Sequence, residues 1–413
     1  MKKYLCSVIA KMFGPSVVAR TLFYLELVGQ IDSDKVNVLV HSRSIFSKDI
    51  QKLRNSKELN YIVLSNGLLS AVQGVWLPKT AQEQTFYYKN LPSHSDEWAL
   101  CNTFAEELLR LISERCDLKG VLSANFDYWQ DAGFRHVCER TAYSFMVLRR
   151  ENEVTKKAVN MSLDRYRNVE IGIIDLAMVF SDSAKFMMET INSDKLKFEK
   201  IVVTGSPRLD CDQDFNSVNE NVTKTDIVFF TYLNGNYCED PRNFWEVVKT
   251  VYEITQKNKK NLVIKCKNKS DKKKLKKQFS EYLLDPKSVA WSINGTTSQL
   301  TSKAICAIAF NSTVLVELLS MPIPLVVPFV YINDEEKNDV ILHEAKKAED
   351  SGLFHVENIN KLKVILEKIF QNRNKYNFND DLRLKLLDKY VGWNPGKPSY
   401  LRVEKAILSH RKN

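Results

Sequence analysis

The sequence has few of the residues that build metal centres or disulfide scaffolds. Its eight cysteines form no CxxC pair and show no zinc-type spacing with the six histidines. Cysteines of this kind are typical of small, buried side chains in a reducing compartment. We therefore expect reduced cysteines and a protein that needs no metal ion or other cofactor.

Long apolar runs are also scarce. The first ten residues join two lysines to a short apolar run, as a signal peptide does, but Lys11 interrupts the run and no clear small-residue cleavage site follows. No apolar stretch approaches the roughly 20 residues that cross a bilayer. We therefore expect a cytoplasmic protein.

The chain contains enough hydrophobic residues to form packed hydrophobic cores. Of its 413 residues, 44% are hydrophobic and 10% are aromatic. At roughly 100–200 residues per domain, this length suggests two or three domains. The formal net charge of +10 and the isoelectric point near 9.0 favour anionic partners. Such partners include nucleotide phosphates, acidic glycans, nucleic acid and anionic lipid.

Much of the positive charge is concentrated in one segment, which has eleven lysines from Lys257 to Lys277 and a single acidic residue, Asp271. We expect most of these lysines to lie on a solvated helix face and loop, where runs of charged residues are usually found. Nucleic-acid binding would need aromatic side chains between the charges, and this segment has none. We therefore expect no nucleic-acid partner, and favour phosphate binding or peripheral contact with an anionic inner membrane.

Strand-like and helix-like segments alternate along most of the chain. Strands are predicted at 36–41, 61–65, 121–123, 145–148, 177–180, 200–204, 226–231, 261–265, 289–293 and 304–310, and helices at 95–116, 130–141, from 183, 241–257 and 272–284. The polar stretch 210–225 interrupts the alternation and is the best candidate for a linker. Repeated alternation predicts parallel sheets with helices on both faces. The sequence therefore predicts an α/β protein of two Rossmann-like domains, with ligands at the carboxyl ends of the strands.

One βαβ pattern carries the strongest functional signal. An apolar strand that ends at Phe310 is followed by Asn311, Ser312 and Thr313, and then at once by a helix and a second apolar strand. Unpaired amides and the dipole at such a helix start favour a phosphate. Glu317, about a turn and a half into the helix, lies too deep to cap it and could accept the hydroxyls of a ribose. Ordinary helix capping by serine and threonine is the alternative.

Two further strand ends in the second half supply donor-site candidates. Tyr232, Asn234, Gly235 and Asn236 follow the first strand, in a loop whose glycine lets the backbone approach a ligand closely. This loop is not a GxGxxG fingerprint, and a plain turn is an equal alternative. Lys265 ends the next strand and could hold a phosphate as a point charge.

In the first half, Glu151 is the candidate catalytic carboxylate. It follows the strand 145–148 directly after Arg149 and Arg150, and could take a proton from an acceptor hydroxyl as a general base. The two arginines would lower its pKa, and a surface salt bridge is the competing interpretation. Weaker carboxylate candidates are Asp127, Asp131 and Asp182. His41, at the end of a strand, could be a base, a phosphate ligand or a structural group.

The first half closes on Gly205, Ser206, Pro207 and Arg208, beside the linker. The glycine frees the backbone, the proline prevents helix continuation, and the planar fork of the arginine suits a carboxylate or phosphate. We expect this segment to be an interdomain hinge, part of the cleft wall, or both.

Taken in order, several segments resemble those of bacterial surface-polysaccharide glycosyltransferases of the GT-B fold. These segments are VLSANFDYW, FMVLRREN, MVFSDSAKF, IVVTGSPRLD, VFFTYLNGNY, LVIKCKNK and IAFNSTVLVELLSMPIPLVVP. They cover most of residues 121–328, whereas residues 1–90 resemble no family that we can name. The similar enzymes build capsules, O-antigens or lipopolysaccharide cores, and some use CMP-activated acidic sugars such as Kdo.

The resemblance implies transfer of a sugar from a nucleotide-sugar donor to a glycan or lipid-linked glycan acceptor, across a cleft between two domains. It implies an acceptor domain at 1–212, a nucleotide-sugar domain at 222–385, and a C-terminal helix at 386–413 that crosses back onto the first domain.

The resemblance also implies roles for individual residues. Ser312 and Thr313 are expected to hold phosphate, Glu317 to hold ribose, and Glu151 to lie near the reacting sugar. In many similar enzymes the strand at Lys265 ends in Lys-Pro-His or His-Pro, whereas here the sequence has neither histidine nor proline, which leaves the donor open. No DxD motif has a convincing setting, in agreement with a metal-independent reaction.

Three other classes of protein stay open. A sugar-nucleotide 2-epimerase or a polyol-phosphate transferase would share the architecture. An epimerase would need several carboxylates and a histidine around one nucleotide sugar, and no histidine lies in the predicted strand-end loops of the second half. A non-catalytic polysaccharide-assembly protein would keep the fold without turnover, and an RNA-binding protein is suggested only by the charge.

Overall fold

The computed structural model of the protein describes residues 2–43, 46–83, 95–150, 156–166, 170–210, 224–231, 241–310, 312, 314–328, 349–371, 376, 381–394 and 396–412. The chain divides into two compact units. Unit 1 comprises Met1–Asp210 and Tyr390–Asn413, and unit 2 comprises Cys211–Lys389.

Unit 1 is built from alternating strands and helices. Its strands are β1 Val36–Ser42, β2 Leu59–Ser65, β3 Leu118–Ser123, β4 Ser144–Leu148, β5 Gly172–Ile174, β6 Leu176–Val179, β7 Leu196–Phe198 and β8 Ile201–Val203. Its helices are α1 Lys2–Leu22, α2 Ser47–Leu53, α3 Asn66–Gln73, α4 Lys79–Glu83, α5 Ser95–Ser113, α6 Ala132–Glu139, α7 Lys156–Tyr166, α8 Asp182–Ile191 and α15 Ser399–Ser409.

The main sheet of unit 1 has the strand order β2-β1-β3-β4-β6-β8, and every pair in it is parallel. Parallel strands are joined by helical crossovers, so helices cover both faces of the sheet. As a result β4 and β6 are buried along their whole length. A separate two-stranded parallel sheet joins β5 to β7.

Alternate strand residues of unit 1 enter two separate cores. Leu39 and Val121 join the cluster that includes α1, α3, α5, α6 and α8. Val38, Val40 and Leu122 join the opposite cluster, which α2 and α15 complete. The period of two along each strand therefore divides one sheet between two hydrophobic layers.

Helix α15 is fixed to unit 1 by a carboxylate from far along the chain. The Asp210 carboxylate accepts hydrogen bonds from the first two amides of the helix, Ser399 N at 2.8 Å and Tyr400 N at 3.0 Å. It therefore satisfies amides that helix geometry leaves unpaired. Gly205, at φ +76°, lies so close that a Cβ there would be 2.5 Å from the Ser399 hydroxyl oxygen.

The first helical stretch of unit 1 is longer than the sequence suggested. Among the described residues, Lys2–Gln30 is long and apolar enough to cross a membrane, judged by length and composition alone. The expectation that no segment reaches that length is therefore wrong, because the helix continues past Lys11. At Gly14 the backbone is non-helical (φ 79°, ψ −175°), so the stretch consists of two helical segments joined by a kink.

Unit 2 contains the second set of strands and helices. Its strands are β9 Asp226–Phe230, β10 Asn261–Lys265, β11 Val289–Ser292, β12 Ala304–Ala309, β13 Leu325–Pro328 and β14 Leu353–Val356. Its helices are α9 Pro241–Lys257, α10 Lys269–Glu281, α11 Thr297–Thr301, α12 Val314–Leu319, α13 Ile359–Gln371 and α14 Asp381–Val391.

The sheet of unit 2 is also parallel throughout. Its order, β11-β10-β9-β12-β13-β14, reads 3-2-1-4-5-6 when the strands are counted from the start of the unit. This is the strand order of Rossmann folds. Phe229, Phe244 and Phe310 pack with ring centroids 5.6–6.0 Å apart and join β9, the helix α9 and the end of β12 into one core. The predicted α/β class with two Rossmann-like domains is confirmed.

Arg383 of α14 binds the chain that leaves helix α12. Its buried guanidinium donates to five carbonyl oxygens, among them Leu319 O at 2.7 Å, Leu318 O at 3.1 Å and Ser351 O at 3.0 Å. Burial lowers its pKa to about 9. The last carbonyls of a helix lack intrahelical partners, so Arg383 acts as a side-chain cap for α12.

Replacing Arg383 by methionine is expected to destabilise unit 2. The variant keeps a side chain of similar length but leaves buried carbonyl groups unpaired, at a cost of about 3 kcal/mol or more. Differential scanning calorimetry of R383M should show the transition of unit 2 at lower temperature. The matched control is Lys385→Met, which removes an exposed positive charge two residues further along the same helix. Equal melting temperatures for the two variants would contradict the capping role.

Candidate functional site

Three strand ends of unit 2 form a continuous edge. Lys265 at the end of β10 pairs with Phe230 at the end of β9, and Phe230 pairs with Ala309 at the end of β12. Neighbouring strands lie about 4.8 Å apart, so Lys265 and Ala309 are about 10 Å apart along this edge. The strand order reverses between β9 and β12, which is the topological switch point where open α/β sheets bind ligands.

The Lys265 side chain lies along this edge of the sheet. Its ammonium group donates to the carbonyl oxygen of Ile293, in the loop that follows β11. The Thr231 hydroxyl donates to the Lys265 carbonyl oxygen at 2.9 Å, which ties the ends of β9 and β10 together. Burial lowers the pKa of Lys265. One of the three N–H groups of the Lys265 ammonium therefore donates to a backbone carbonyl oxygen, and the ammonium has two further N–H groups.

Ser312 lies in the turn between β12 and α12, and its carbonyl oxygen accepts a hydrogen bond from Leu315 N at 3.0 Å. The described part of helix α12 comprises Val314–Leu319, and Glu317 lies in its first turn. The Thr297 hydroxyl of α11 donates to Glu317 Oε2 at 2.7 Å, which leaves Oε1 for another partner.

Several predicted site residues lie outside the described residues. These are Glu151 of the first half, and Tyr232, Asn234, Gly235, Asn236, Asn311 and Thr313 of the second half. In unit 2 the structure therefore describes Lys265, Ser312 and Glu317 among the predicted donor-site residues, and it sets all three after strands on the carboxyl side of the sheet.

The carboxyl edge of unit 1 holds a buried trio of polar side chains. His41, at the end of β1, has Nδ1 2.7 Å from Asp131 Oδ1. The Ser123 hydroxyl, at the end of β3, donates to Asp131 Oδ2 at 2.6 Å. Each of the three is 1% exposed. In the sheet order β2-β1-β3-β4, the chain passes from β1 to β2 on one side and from β3 to β4 on the other. The trio therefore lies at the topological switch point of unit 1.

The trio leaves one histidine nitrogen unused. An ionised carboxylate can only accept hydrogen bonds, so the hydrogen between His41 and Asp131 is on Nδ1. In the neutral ring, Nε2 then carries a free lone pair. Within the described ranges, Nε2 is buried and has no hydrogen-bond partner. His41 and Asp131 were sequence candidates taken singly, whereas Ser123 was missed because nothing local in the sequence links it to them.

The turn that carries Asp131 is held by its neighbour Gln130. Arg43 donates to Gln130 Oε1 at 2.8 Å and stacks on the Tyr128 ring, with the guanidinium carbon 3.4 Å from the ring centroid. Gln73 donates to the Gln130 carbonyl oxygen at 3.0 Å. These contacts fix the backbone on which the Asp131 carboxylate stands.

A second polar group lies beyond β3 and β4. The Arg149 guanidinium donates to Asn125 Oδ1 at 3.0 Å and lies 5.0 Å from the Phe126 ring. The Tyr166 hydroxyl donates to Asp127 Oδ2. Burial raises the pKa of Asp127 to about 6, against the lowering effects of the Tyr166 hydrogen bond and of Arg149. Asp127 therefore gains a proton in a pH range where ordinary aspartates have lost theirs.

The remaining predicted residues of unit 1 have mainly structural contacts. Asp182 is exposed in the first turn of α8, where a carboxylate favours the helix dipole. Gly205 packs against the C-terminal segment of unit 1, where a Cβ would meet Ser399 and Arg402, and Ser206 is buried. Arg208 donates its amide to Asp49 Oδ1 at 3.1 Å and lies over the Phe180 ring at 5.3 Å.

A cavity of about 450 Å³ opens at the other edge of the unit 1 sheet. It is lined by the end of α6, by residues in or beside β5, β6 and β8, and by the end of α15 with the residues after it, namely Glu139, Ile173, Asp175, Glu199, Lys200, Ser409, His410, Arg411 and Lys412. The Lys412 ammonium donates to Tyr143 O at 2.9 Å and lies 3.5 Å from Asp175. The cavity lies at the amino ends of the strands, whereas parallel sheets bind their ligands at the carboxyl ends.

In the part of the chain that the structure describes, no group of three or more His, Cys, Asp or Glu side chains could hold a metal ion. The polar groups on the carboxyl edges are instead a lysine, hydroxyls, carboxylates, a histidine and an arginine. These suit hydrogen bonding to phosphate and sugar hydroxyl groups and proton transfer.

Comparison with known proteins identifies the fold. No family model matches the chain, and a search of curated proteins finds no match. A solved UDP-N-acetylglucosamine 2-epimerase is 14% identical, with a TM-score of 0.51 over 93% of this chain and 98% of the other. A Listeria monocytogenes protein described as the same kind of epimerase is 13% identical, with a TM-score of 0.52 over 92% of this chain and 97% of the other. A glycosyltransferase from Rickettsia africae is 12% identical, with a TM-score of 0.48 over 91% and 99%.

These identities are too low to carry activity from one protein to another, and they establish the fold alone. The protein has the GT-B type of fold, in which two Rossmann-like domains follow each other along one chain.

The buried carboxylate of Asp127 is expected to make folding stability depend on pH. Its pKa of about 6 in the folded protein lies above the ordinary value of 3.8. The stability that it contributes is therefore present below pH 4 and is lost as the pH rises through 6. Relative to wild type, Asp127→Asn should gain up to about 3 kcal/mol of stability between pH 4 and pH 7.

Thermal unfolding of wild type and D127N at several pH values measures this difference. Asp164→Asn, at an exposed position of the same helix as Tyr166, is the control and should track wild type. If the D127N difference is constant from pH 4 to 7, Asp127 does not titrate with a raised pKa.

Proposed function

We propose that the protein is a glycosyltransferase that moves a sugar from a nucleotide-sugar donor to a glycan or lipid-linked glycan acceptor of a surface polysaccharide. The observation that carries the proposal is that each Rossmann-like unit has its own set of polar side chains at a topological switch point. Such an arrangement provides one binding edge for the nucleotide and another for the acceptor.

In this proposal unit 2 binds the donor. Lys265 and the Ser312 hydroxyl bind the phosphates, together with Asn311, Thr313 and the loop at 232–236. Helix α12 is short, so charge stabilisation rests on Lys265 more than on a helix dipole. Glu317 Oε1 accepts the ribose hydroxyls, while Thr297 orients the other oxygen. A CMP-activated acidic sugar such as Kdo is one candidate donor, and the missing Lys-Pro-His element keeps UDP-, GDP- and TDP-sugars in the test.

Unit 1 binds the acceptor and supplies the base. Glu151 takes the proton of the acceptor hydroxyl, whose oxygen then bonds to the anomeric carbon of the donor sugar. The bond between that carbon and the phosphate oxygen breaks, and the nucleotide leaves with the electron pair. Lys265 stabilises the developing negative charge, so the reaction needs no metal ion in this proposal. The reaction takes place in the cytoplasm, where nucleotide sugars are the available donors.

A 2-epimerase is the second candidate. Two solved structures with TM-scores above 0.5 are described as UDP-N-acetylglucosamine 2-epimerases, and the buried His41–Asp131 pair gives unit 1 acid–base groups of the kind that epimerisation needs. A polyol-phosphate transferase would give a different product from both, and a non-catalytic assembly protein would give none.

One set of assays separates these classes. The melting temperature is measured with CMP, UDP, GDP and TDP, because a ligand at a hundred times its Kd adds about 2.7 kcal/mol of stability. The corresponding sugar nucleotides are then incubated with the protein. Release of nucleotide that depends on a glycan acceptor supports the transferase. Exchange of the sugar C2 hydrogen with deuterium from D2O would show an epimerase instead, and binding without turnover would show an assembly protein.

The double variant Ser312→Ala with Thr313→Ala should weaken nucleotide binding. A hydrogen bond to a charged group contributes about 1.5–3 kcal/mol, so the Kd is expected to rise at least tenfold. Isothermal titration measures the change. Ser302→Ala, at an exposed position of the same unit, is the control. Unchanged affinity in the double variant would remove the phosphate assignment.

Glu151→Gln should lower kcat by about a hundredfold and leave donor affinity nearly intact, because a general base acts in the chemical step. His41→Gln is the comparison variant, and it should retain the acidic limb of the pH–rate profile, on which a general base becomes protonated. If E151Q is active and H41Q has lost both activity and that limb, the base is His41 and the assignment to Glu151 is wrong.

A further inference from the structure

The first helical stretch of unit 1 exposes far more apolar surface than the rest of the protein. In the described part of the chain, fifteen large hydrophobic side chains are exposed, and eight of them lie in this one stretch: Tyr4, Leu5, Met12, Phe13, Val17, Tyr24, Leu25 and Val28. Exposed apolar side chains concentrated in one stretch of chain indicate an interaction site.

The opposite side of the same stretch belongs to the core of unit 1. Ala10, Val18 and Leu22 are at most 2% exposed and pack in one cluster with residues of α3 and α5. The Trp76 indole donates to the Ala10 carbonyl oxygen at 3.4 Å, and Arg20 donates to Glu107 of α5 at 2.8 Å. Moving the stretch into a bilayer would expose this core, so the helix is held flat on unit 1.

Most of the charges around the apolar surface are positive. Four basic side chains, Lys2, Lys3, Lys11 and Arg20, are exposed between positions 2 and 25, and no acidic residue occurs there. Glu26, the next charge along the chain, is already paired with Lys2 at 2.7 Å. Exposed apolar and aromatic side chains bordered by lysine and arginine are the pattern of helices that lie in the interface of anionic membranes.

We propose that the outer face of residues 4–28, which we call the α1 surface, binds the interface of an anionic lipid bilayer. Its apolar side chains enter the boundary between headgroups and acyl chains, and Lys3 and Lys11 contact the lipid phosphates, whereas Lys2 and Arg20 are paired with Glu26 and Glu107. Gly14, at φ +79° with open space around it, kinks the helix so that residues on both sides of the kink can contact a surface. The inference rests on unit 1 alone and does not depend on the proposed activity.

Flotation of the full-length protein with vesicles tests this proposal. Vesicles of phosphatidylcholine with phosphatidylglycerol should bind the protein, and vesicles of phosphatidylcholine alone should bind it weakly. Phe13→Gln is expected to weaken binding about tenfold. The matched control is Phe186→Gln on α8, since Phe13 is 59% exposed and Phe186 is 62% exposed. Lys11→Gln should weaken binding to the anionic vesicles about fivefold, while Lys405→Gln, exposed on α15, should not.

Three outcomes would overturn the proposal. The first is equal loss of vesicle binding in F13Q and F186Q, or equal binding of wild type to both kinds of vesicle. The second is resistance to extraction by alkaline carbonate, which would mean that the stretch spans the bilayer. The third is a lipid-free dimer that F13Q converts to a monomer, which would make the α1 surface a contact between two copies of the chain. Circular dichroism of each variant checks that the exposed substitutions leave the fold intact.

Discussion

Parallel pairing of the strands is the constraint on which the architecture depends. Both six-stranded sheets are parallel throughout, so every strand must be followed by a connection that returns to the opposite edge. The helices in those connections bury both sheet faces and leave the carboxyl edges as the place where polar side chains collect. Lys265 and Ser312 in unit 2, and His41 and Asp131 in unit 1, all lie on such edges.

Buried polar groups hold these edges in place. Arg383 binds the carbonyl groups at the end of α12, the helix whose first turn carries Glu317. Asp131 likewise joins β1 to β3 through His41 and Ser123. Groups of this kind are costly to desolvate and very costly to leave unpaired, so they specify one arrangement of the backbone around them.

Hydrophobic periodicity predicted the regular elements well. The predicted helix 241–257 and strand 261–265 coincide with α9 and β10, because strong apolar patterns and clear breaks bound both. Contacts between distant parts of the chain were beyond such reasoning. Arg383 looks like an ordinary helix arginine in the sequence, and Ser123 meets Asp131 only after folding.

The Asp210 carboxylate also bears on how the protein is made. It caps a helix that is synthesised about 190 residues later, and that helix covers the sheet face formed by Val38, Val40 and Leu122. Unit 2 is a continuous piece of chain and can fold as soon as it leaves the ribosome. Unit 1 begins first but cannot close its second hydrophobic layer until the end of the chain emerges. The nascent protein therefore carries an uncovered apolar face throughout the synthesis of unit 2. We expect chaperones to bind this face during that interval.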